Sequence, residues 1–321
     1  MLQYLIIILD DASTSFCHYK QSSKERKLIP IETLRKGIRF GMMENLTIQC
    51  VYPDSELPTE YREVIESIDH SKIKPFPHNT PSIGNYSTDV LVLNGFSDID
   101  TIDEPVVLRV NKQDLFNNKD KVVELLAKTP RLNVVMMDVE TFKEEDFDKY
   151  KAFLQDVSKA MEKMYADGKS PQLNLLTDRL MLKEMNNCGA GETNITLAPN
   201  GKFYICPAFY YEDEDDYVGD LENGLDIKNK QLYKLKYAPV CRHCDAYQCK
   251  RCVWLNRKTT LEVNTPSHEQ CVVAHLERNA SRELMNNNRK HGTFLLEQEE
   301  ITKIDYLDPF ENREKWQQEN L

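Results

Sequence analysis

The chain has 321 residues, 40% of them hydrophobic, enough apolar mass for one large or two medium cores. Its 52 acidic residues outnumber its 41 lysines and arginines for a net charge of -11, which argues against a nucleic-acid partner gripped through phosphates and suits a cationic or neutral peptide. The long apolar run from Tyr4 to Leu9 is too short to span a bilayer, has no basic lead-in and ends in Asp10-Asp11, so it predicts a buried strand in a cytoplasmic protein with no membrane partner.

From that strand the chain alternates. Pro30 to Glu44 reads as a helix with Leu34, Ile38 and Met42 at helical spacing, and Leu46 to Val51 as the next strand. A short helix over 58–68 follows, then two β-branched strands over 89–93 and 106–110, a helix over 120–128, a strand over 132–137 and a long amphipathic helix over 144–164. Gln172 to Leu176 reads as a last strand before a helix that leads to Cys188. Successive βα units predict a parallel sheet with helices outside, either open or curled into a partial barrel. Beyond Cys271 a polar helix is expected over 275–288, then a charged tail.

In parallel α/β architectures ligands bind at the carboxyl ends of strands, so chemistry is expected in the loop Asp10 to Lys20. Cys17, with His18 and Asp10 or Asp11, is the one candidate nucleophile and base there. Neighbours on an extended chain point apart, which favours a packing role.

Seven of the nine cysteines lie between Cys188 and Cys271: Cys188, Cys206, Cys241, Cys244, Cys249, Cys252 and Cys271. Two C-x2-C pairs only four residues apart point to metal ligands, because a two-residue spacer lets a turn aim both thiolates at one centre while backbone N–H groups stabilise the sulfur charge. Asn200-Gly201 marks a hairpin turn just before Cys206. Disulfides are disfavoured, since an odd seven cannot pair completely. Structural zinc is a standing alternative, although zinc ribbons usually separate their two knuckles by a dozen or more residues. Iron–sulfur ligation fits the tight spacing best. The acidic run Tyr211 to Tyr217 could attract a basic leader peptide, though such runs are usually solvated loops.

The pattern C-x17-C, C-x2-C-x4-C-x2-C, then Cys271, with Gly201 five residues before Cys206, resembles the SPASM domain of peptide-modifying radical S-adenosylmethionine (SAM) enzymes. The resemblance implies two auxiliary [4Fe–4S] clusters, one on Cys188, Cys206 and Cys252 and one on Cys241, Cys244, Cys249 and Cys271. Seven thiolates leave one iron of the first cluster without a cysteine, filled by another group or open to substrate; His243 and His268 are the nearby histidines. It also implies an α/β fold with a partial (β/α) barrel of the radical SAM type over 1–180, a SPASM-like domain over 181–275 and a C-terminal helix and tail over 276–321. Where such enzymes carry C-x3-C-x2-C this chain has Ser13, Cys17 and Lys20, and Val51 to Pro58 lacks the Gly-Gly-Glu that usually contacts SAM. Hydroxyl and ammonium groups are poor iron ligands, so SAM is not an expected cofactor. With Leu28 to Leu34, Gly37 to Phe40 and Ile48 to Pro53, the chain is similar to the CXXX repeat peptide maturase family. That implies maturation of a ribosomally made, cysteine-rich precursor peptide, with a separate modifying enzyme as a further partner; the alternative is a catalytically silent scaffold with structural iron or zinc.

Overall fold

The computed structural model describes residues 1–20, 27–76, 89–100, 102–291 and 298–301. The strands are β1 (Tyr4–Ile8), β2 (Thr47–Val51), β3 (His70–Pro75), β4 (Val90–Asn94), β5 (Val106–Val110), β6 (Leu132–Met136), β7 (Asn194–Leu197) and β8 (Phe203–Tyr204). The helices are α1 (Ile31–Met43), α2 (Thr59–Glu66), α3 (Lys112–Asn117), α4 (Lys119–Lys128), α5 (Glu144–Ala166), α6 (Asp178–Met181), α7 (Pro207–Glu212), α8 (Val253–Thr260) and α9 (His268–His291). The chain forms two compact units, one of Met1–Asn94, Glu104–Arg109 and Gly189–Tyr237, the other of the remainder.

The first unit is a sheet of order β5-β4-β3-β2-β1-β7-β8, parallel except for β8. Its strand β1 is central, with Leu5 to Ile8 buried, as a near-continuous apolar run requires when both faces are covered. The apolar positions expected in α1 only partly hold: Leu34 and Ile38 are buried, but Met42 is 64% exposed. The buried stripe is Leu34, Gly37, Ile38 and Gly41 instead. A Cβ at Gly37 would lie 2.3 Å from Leu197 Cδ2, and one at Gly41 3.0 Å from Ile48, so the two glycines let the helix sit close on the strands. The strand β3 has no counterpart in the hydrophobic pattern, because Lys72 and Lys74 occupy buried positions. Each is paired, Lys72 with Glu66 at 2.5 Å and Lys74 with Asp89 at 2.6 Å. The Asn200-Gly201 turn is where it was expected, joining antiparallel β7 and β8 with Gly201 at φ +79°.

The second unit holds α3–α6, α8, α9 and β6, with the N–H of Met137 donating to Val110 O. Residues 172–176 form no strand. They make one parallel bridge, Leu132 to Leu173, and then turn, with Leu173 O accepting from the N–H of both Leu176 and Thr177. The C-terminal helix starts at His268, earlier than expected, and takes Cys271 into its first turns. It is not a surface helix: Leu276, Leu284 and Met285 are buried, and so are His275, Glu277, Arg278 and Asn288. The charged tail after it lies largely outside the described residues. Among the described residues no helix is long and apolar enough to cross a membrane.

Candidate metal centre

The loop after β1 is a closed polar knot within the first unit. Ser13 is fully buried, and its Oγ accepts the N–H of Asp10 at 3.0 Å and donates to Val51 O at 2.8 Å. Asp10 Oδ1 accepts the N–H of Ala12 at 2.7 Å, and the N–H of Thr14 donates to Tyr52 O at 2.9 Å. Arg109 clamps the far side: Nε donates to Cys17 O at 2.9 Å, Nη2 to Tyr19 O at 2.5 Å and Nη1 to Asn94 Oδ1 at 2.5 Å. Tyr210 donates its hydroxyl to Asp11, whose carboxyl burial pushes above its ordinary range, and Tyr19 stacks on Tyr211 with centroids 5.4 Å apart. Of the three positions that match a cluster-binding frame, Ser13 has its hydroxyl committed to backbone, Cys17 is half-buried and Lys20 is exposed. The side chain that could serve as nucleophile, Cys17, thus sits on a backbone fixed through its own carbonyl.

Six of the seven clustered cysteines belong to the second unit; Cys206 belongs to the first, where it caps α7 after the β7–β8 hairpin. In the second unit the chain turns tightly at Cys241–His243, with the N–H of Cys244 donating to Cys241 O at 3.1 Å. The N–H of Ala246 donates to Cys244 Sγ at 3.4 Å. The backbone N–H of Arg251 favours the ionised form of Cys249 against its burial, and those of Leu255 and Trp254 do the same for Cys252 at the start of α8. These are the donors that a thiolate ligand needs. The strand of chain before Cys188 lies against the same segment, with Asn186 N–H donating to Tyr247 O at 3.0 Å and Cys188 N–H to Lys250 O at 3.2 Å.

Burial and neighbouring thiols shift several of these cysteines upward. Burial pushes Cys241 up to about 11, with Cys244 adding to the rise. Burial also pushes Cys249 far above its ordinary range, and Cys241 and Cys244 add to it. For Cys252, pushed up to about 12 by burial, the neighbouring thiol is Cys188. Thiols crowded and shielded in this way stay protonated unless a cation supplies the compensating charge, which is what an iron or zinc centre does. Among the described residues no three His, Cys, Asp or Glu side chains converge on a point fit for a single metal ion. Of the seven cysteines Cys241 is buried, Cys188 is exposed and the other five are half-buried, and the N–H donor on Cys244 suits an iron or a zinc ligand alike.

Of the two histidines that sequence proximity brings up, His243 is exposed and His268 packs edge-on against Phe147 at 6.0 Å. The histidine beside a thiol is His275, with Nε2 3.5 Å from Cys244 Sγ. Arg278 is fully buried, its Nη1 bonded to both carboxylate oxygens of Asp245 at 2.8 and 2.9 Å, and Arg179 lies over the Tyr247 ring at 4.2 Å. Both guanidinium groups pull Cys244 downward against its burial. Glu277 accepts from Tyr150 OH at 2.7 Å and Gln248 Nε2 at 3.4 Å, and burial pushes its carboxyl up to about 7. The signal for these residues was in the helix period: Cys271, His275, Arg278 and Arg282 fall at i, i+4, i+7 and i+11 on one face.

No family model matches the chain, and no curated protein matches it in sequence. Solved structures do match. The structure of anSMEcpe with bound AdoMet aligns at TM-score 0.62 and 13% identity, covering 90% of this chain and 100% of that one. The same protein with AdoMet and the Cp18Cys peptide gives 0.62 and 13% over 90% and 99%. With the Kp18Cys peptide it gives 0.60 and 14% over 89% and 99%. At such identity the likeness fixes the architecture and nothing finer: the chain has an α/β fold with a mostly parallel sheet, a partial (β/α) barrel of the radical SAM type.

Proposed function

We propose that this chain matures a ribosomally made, cysteine-rich peptide of the CXXX repeat kind, using two auxiliary [4Fe–4S] clusters and no ordinary SAM-cleaving cluster. The observation that carries the reading is the folding of the Cys241–Cys252 segment on itself and against Cys188, whose N–H donates to Lys250 O at 3.2 Å, with the N–H of Ala246 on Cys244 Sγ at 3.4 Å. Cys271 joins Cys241, Cys244 and Cys249 in our reading, one helical turn before His275, which lies beside Cys244. The resemblance to the SPASM domain assigns Cys206 to the cluster of Cys188 and Cys252. When bound, such clusters supply a one-electron couple and, where only three cysteines hold the core, an iron open to a substrate thiolate. The protein's own share is to shield the thiols, to hold them by turns and the α8 terminus, and to keep Glu277 largely neutral beside Cys249 below about pH 7.

A peptide client is supported by the fold shared with a protein solved with bound peptides. The neighbours also carry AdoMet. In this chain the closed Ser13 loop and the exposed Lys20 favour a barrel that does not cleave SAM in the usual way. The same closure favours one other reading, a silent scaffold that presents peptide to a separate enzyme. Anaerobically reconstituted protein is expected to take up about eight irons and to bind peptide only when loaded. A zinc-only preparation that keeps full peptide binding would sink the proposal. Peptide mass measured with and without SAM and reductant separates the two readings: a change without SAM marks an enzyme, and no change under any condition marks the scaffold.

A further inference from the structure

Two adjacent methionines at the end of α1 are exposed, Met42 at 64% and Met43 at 79%. Gly37 and Gly41 take the inner side of this helix down onto the strands, which leaves both methionines outside the core. Beside them, between α1 and the end of α2, the first unit has a groove of about 600 Å³ whose apolar lining is completed by Ile38, Val64 and Ile68. Helix α1 leads into β2 and α2 into β3, so the groove lies at the amino ends of the parallel strands, the opposite edge of the sheet from the loop after β1. Exposed methionines are flexible and polarizable and repack against varied surfaces, so a pair of them on a groove marks a contact face. The charge of this face runs against that of the molecule. The chain has a net charge of -11, yet the charged side chains lining the groove are Arg35 and Arg39, with no carboxylate among the described residues. Arg35 shares its charge with Glu60 at 3.3 Å and Glu32 at 3.8 Å, whereas Arg39 is exposed and makes no ion pair among the described residues.

We propose that the groove between α1 and α2 docks an acidic amphipathic helix of a partner protein, with its apolar stripe on Met42, Met43, Val64 and Ile68 and its carboxylates on Arg39 and Arg35. From Arg35 to Met43 the wall is about 12 Å long at 1.5 Å per residue, a match for two turns of a helix that presents anchors at i, i+3 or i+4, and i+7. Charge complementarity selects the partner. A second copy of this chain seated two-fold on the same groove would set Arg35 and Arg39 against their own kind, which like-charge repulsion opposes. An anionic lipid surface takes apolar side chains from a projecting helix face, whereas a groove between two helices is shaped to receive one.

The probes are two synthetic amphipathic helices with the same leucine stripe, flanked by glutamate in one and by lysine in the other. They are titrated into full-length protein carrying ¹³C-methyl methionine, with the signals of Met42 and Met43 assigned through Met42→Ala and Met43→Ala. The glutamate helix is expected to move those two signals and leave the other methionines in place, and to bind more weakly as salt is raised. Arg39→Glu, at an exposed position that leaves the thermal melt unchanged, is expected to weaken it about tenfold or more. Equal binding of the lysine helix, or a glutamate helix that leaves Met42 and Met43 unmoved, would overturn the inference. So would either alternative occupant: phosphatidylglycerol vesicles that move the two signals when the glutamate helix does not, or signals that move with protein concentration alone.

Discussion

Replacing Glu277 by glutamine tests the electrostatics of the cysteine-rich core without touching a thiol. Glu277 is buried, and burial raises its carboxyl from an ordinary 4.5 to about 7, against the hydrogen bonds from Tyr150 and Gln248 that favour the charged form. A carboxyl whose folded-state value is raised binds its proton more tightly in the folded chain. Its contribution is therefore fully present below about pH 4.5 and is lost as pH rises through about 7. At about 1.4 kcal/mol per unit, the wild type should lose about 3 kcal/mol of stability from this group between pH 4.5 and 8. Glu277→Gln keeps an acceptor for Tyr150 at Oε1 and sets an amide N–H where Gln248 Nε2 donated, losing one long hydrogen bond at a cost of about 1 kcal/mol. The variant should match the wild type at pH 5 within about 1 kcal/mol and exceed it by about 2–3 kcal/mol at pH 8. Guanidinium melts of metal-free, thiol-reduced protein at the two pH values measure this. Parallel pH dependences for the two proteins would refute the argument.

Lys74→Met should cost about 3–5 kcal/mol in the same melts, because it strands the buried Asp89 carboxylate, and adding Asp89→Leu should recover most of the loss. Ser13→Ala removes both bonds of the hydroxyl and should cost about 1–3 kcal/mol. Restoring the missing thiols with Ser13→Cys and Lys20→Cys together should yield no 5′-deoxyadenosine from SAM and reductant, since Arg109 still pins the backbone at Cys17 and Tyr19; production of it would contradict the closed-loop reading. Cys249→Ser and Cys252→Ser should each drop bound iron from about eight to about four, and the double variant to near zero, if the two groups of thiols hold separate clusters.

Strand and helix alternation was readable wherever one face is apolar, which is why β1, β2 and the long α5 lie where periodicity puts them. It failed at β3, where buried Lys72 and Lys74 are tolerated only because Glu66 and Asp89 approach from elsewhere in the fold, a fact no local pattern carries. It failed at α1 in the opposite sense: Met42 has the right spacing and polarity, yet Gly37 and Gly41 bring the helix so close to Leu197 and Ile48 that the buried stripe rotates onto the glycines. The stretch 172–176 misled because leucines at alternate positions also suit a turn whose carbonyl is shared by Leu176 and Thr177.

The candidate site divides along the same physical line. Cysteines that must turn together within a dozen residues leave their spacing in the sequence, so both close pairs could be read before any coordinates. Groups that act on them from a distance leave none: Arg179 reaches Cys244 across 65 positions of chain, and Glu277 is held by Tyr150 at a separation of 127. One step was nevertheless available. Once Cys271 is taken as a ligand, the 3.6-residue period places His275 and Arg278 on its face, and a helix rich in polar residues must then bury some of them. The polar composition of the C-terminal helix thus goes with burial of His275, Glu277, Arg278 and Asn288, with His275 beside the Cys244 thiol.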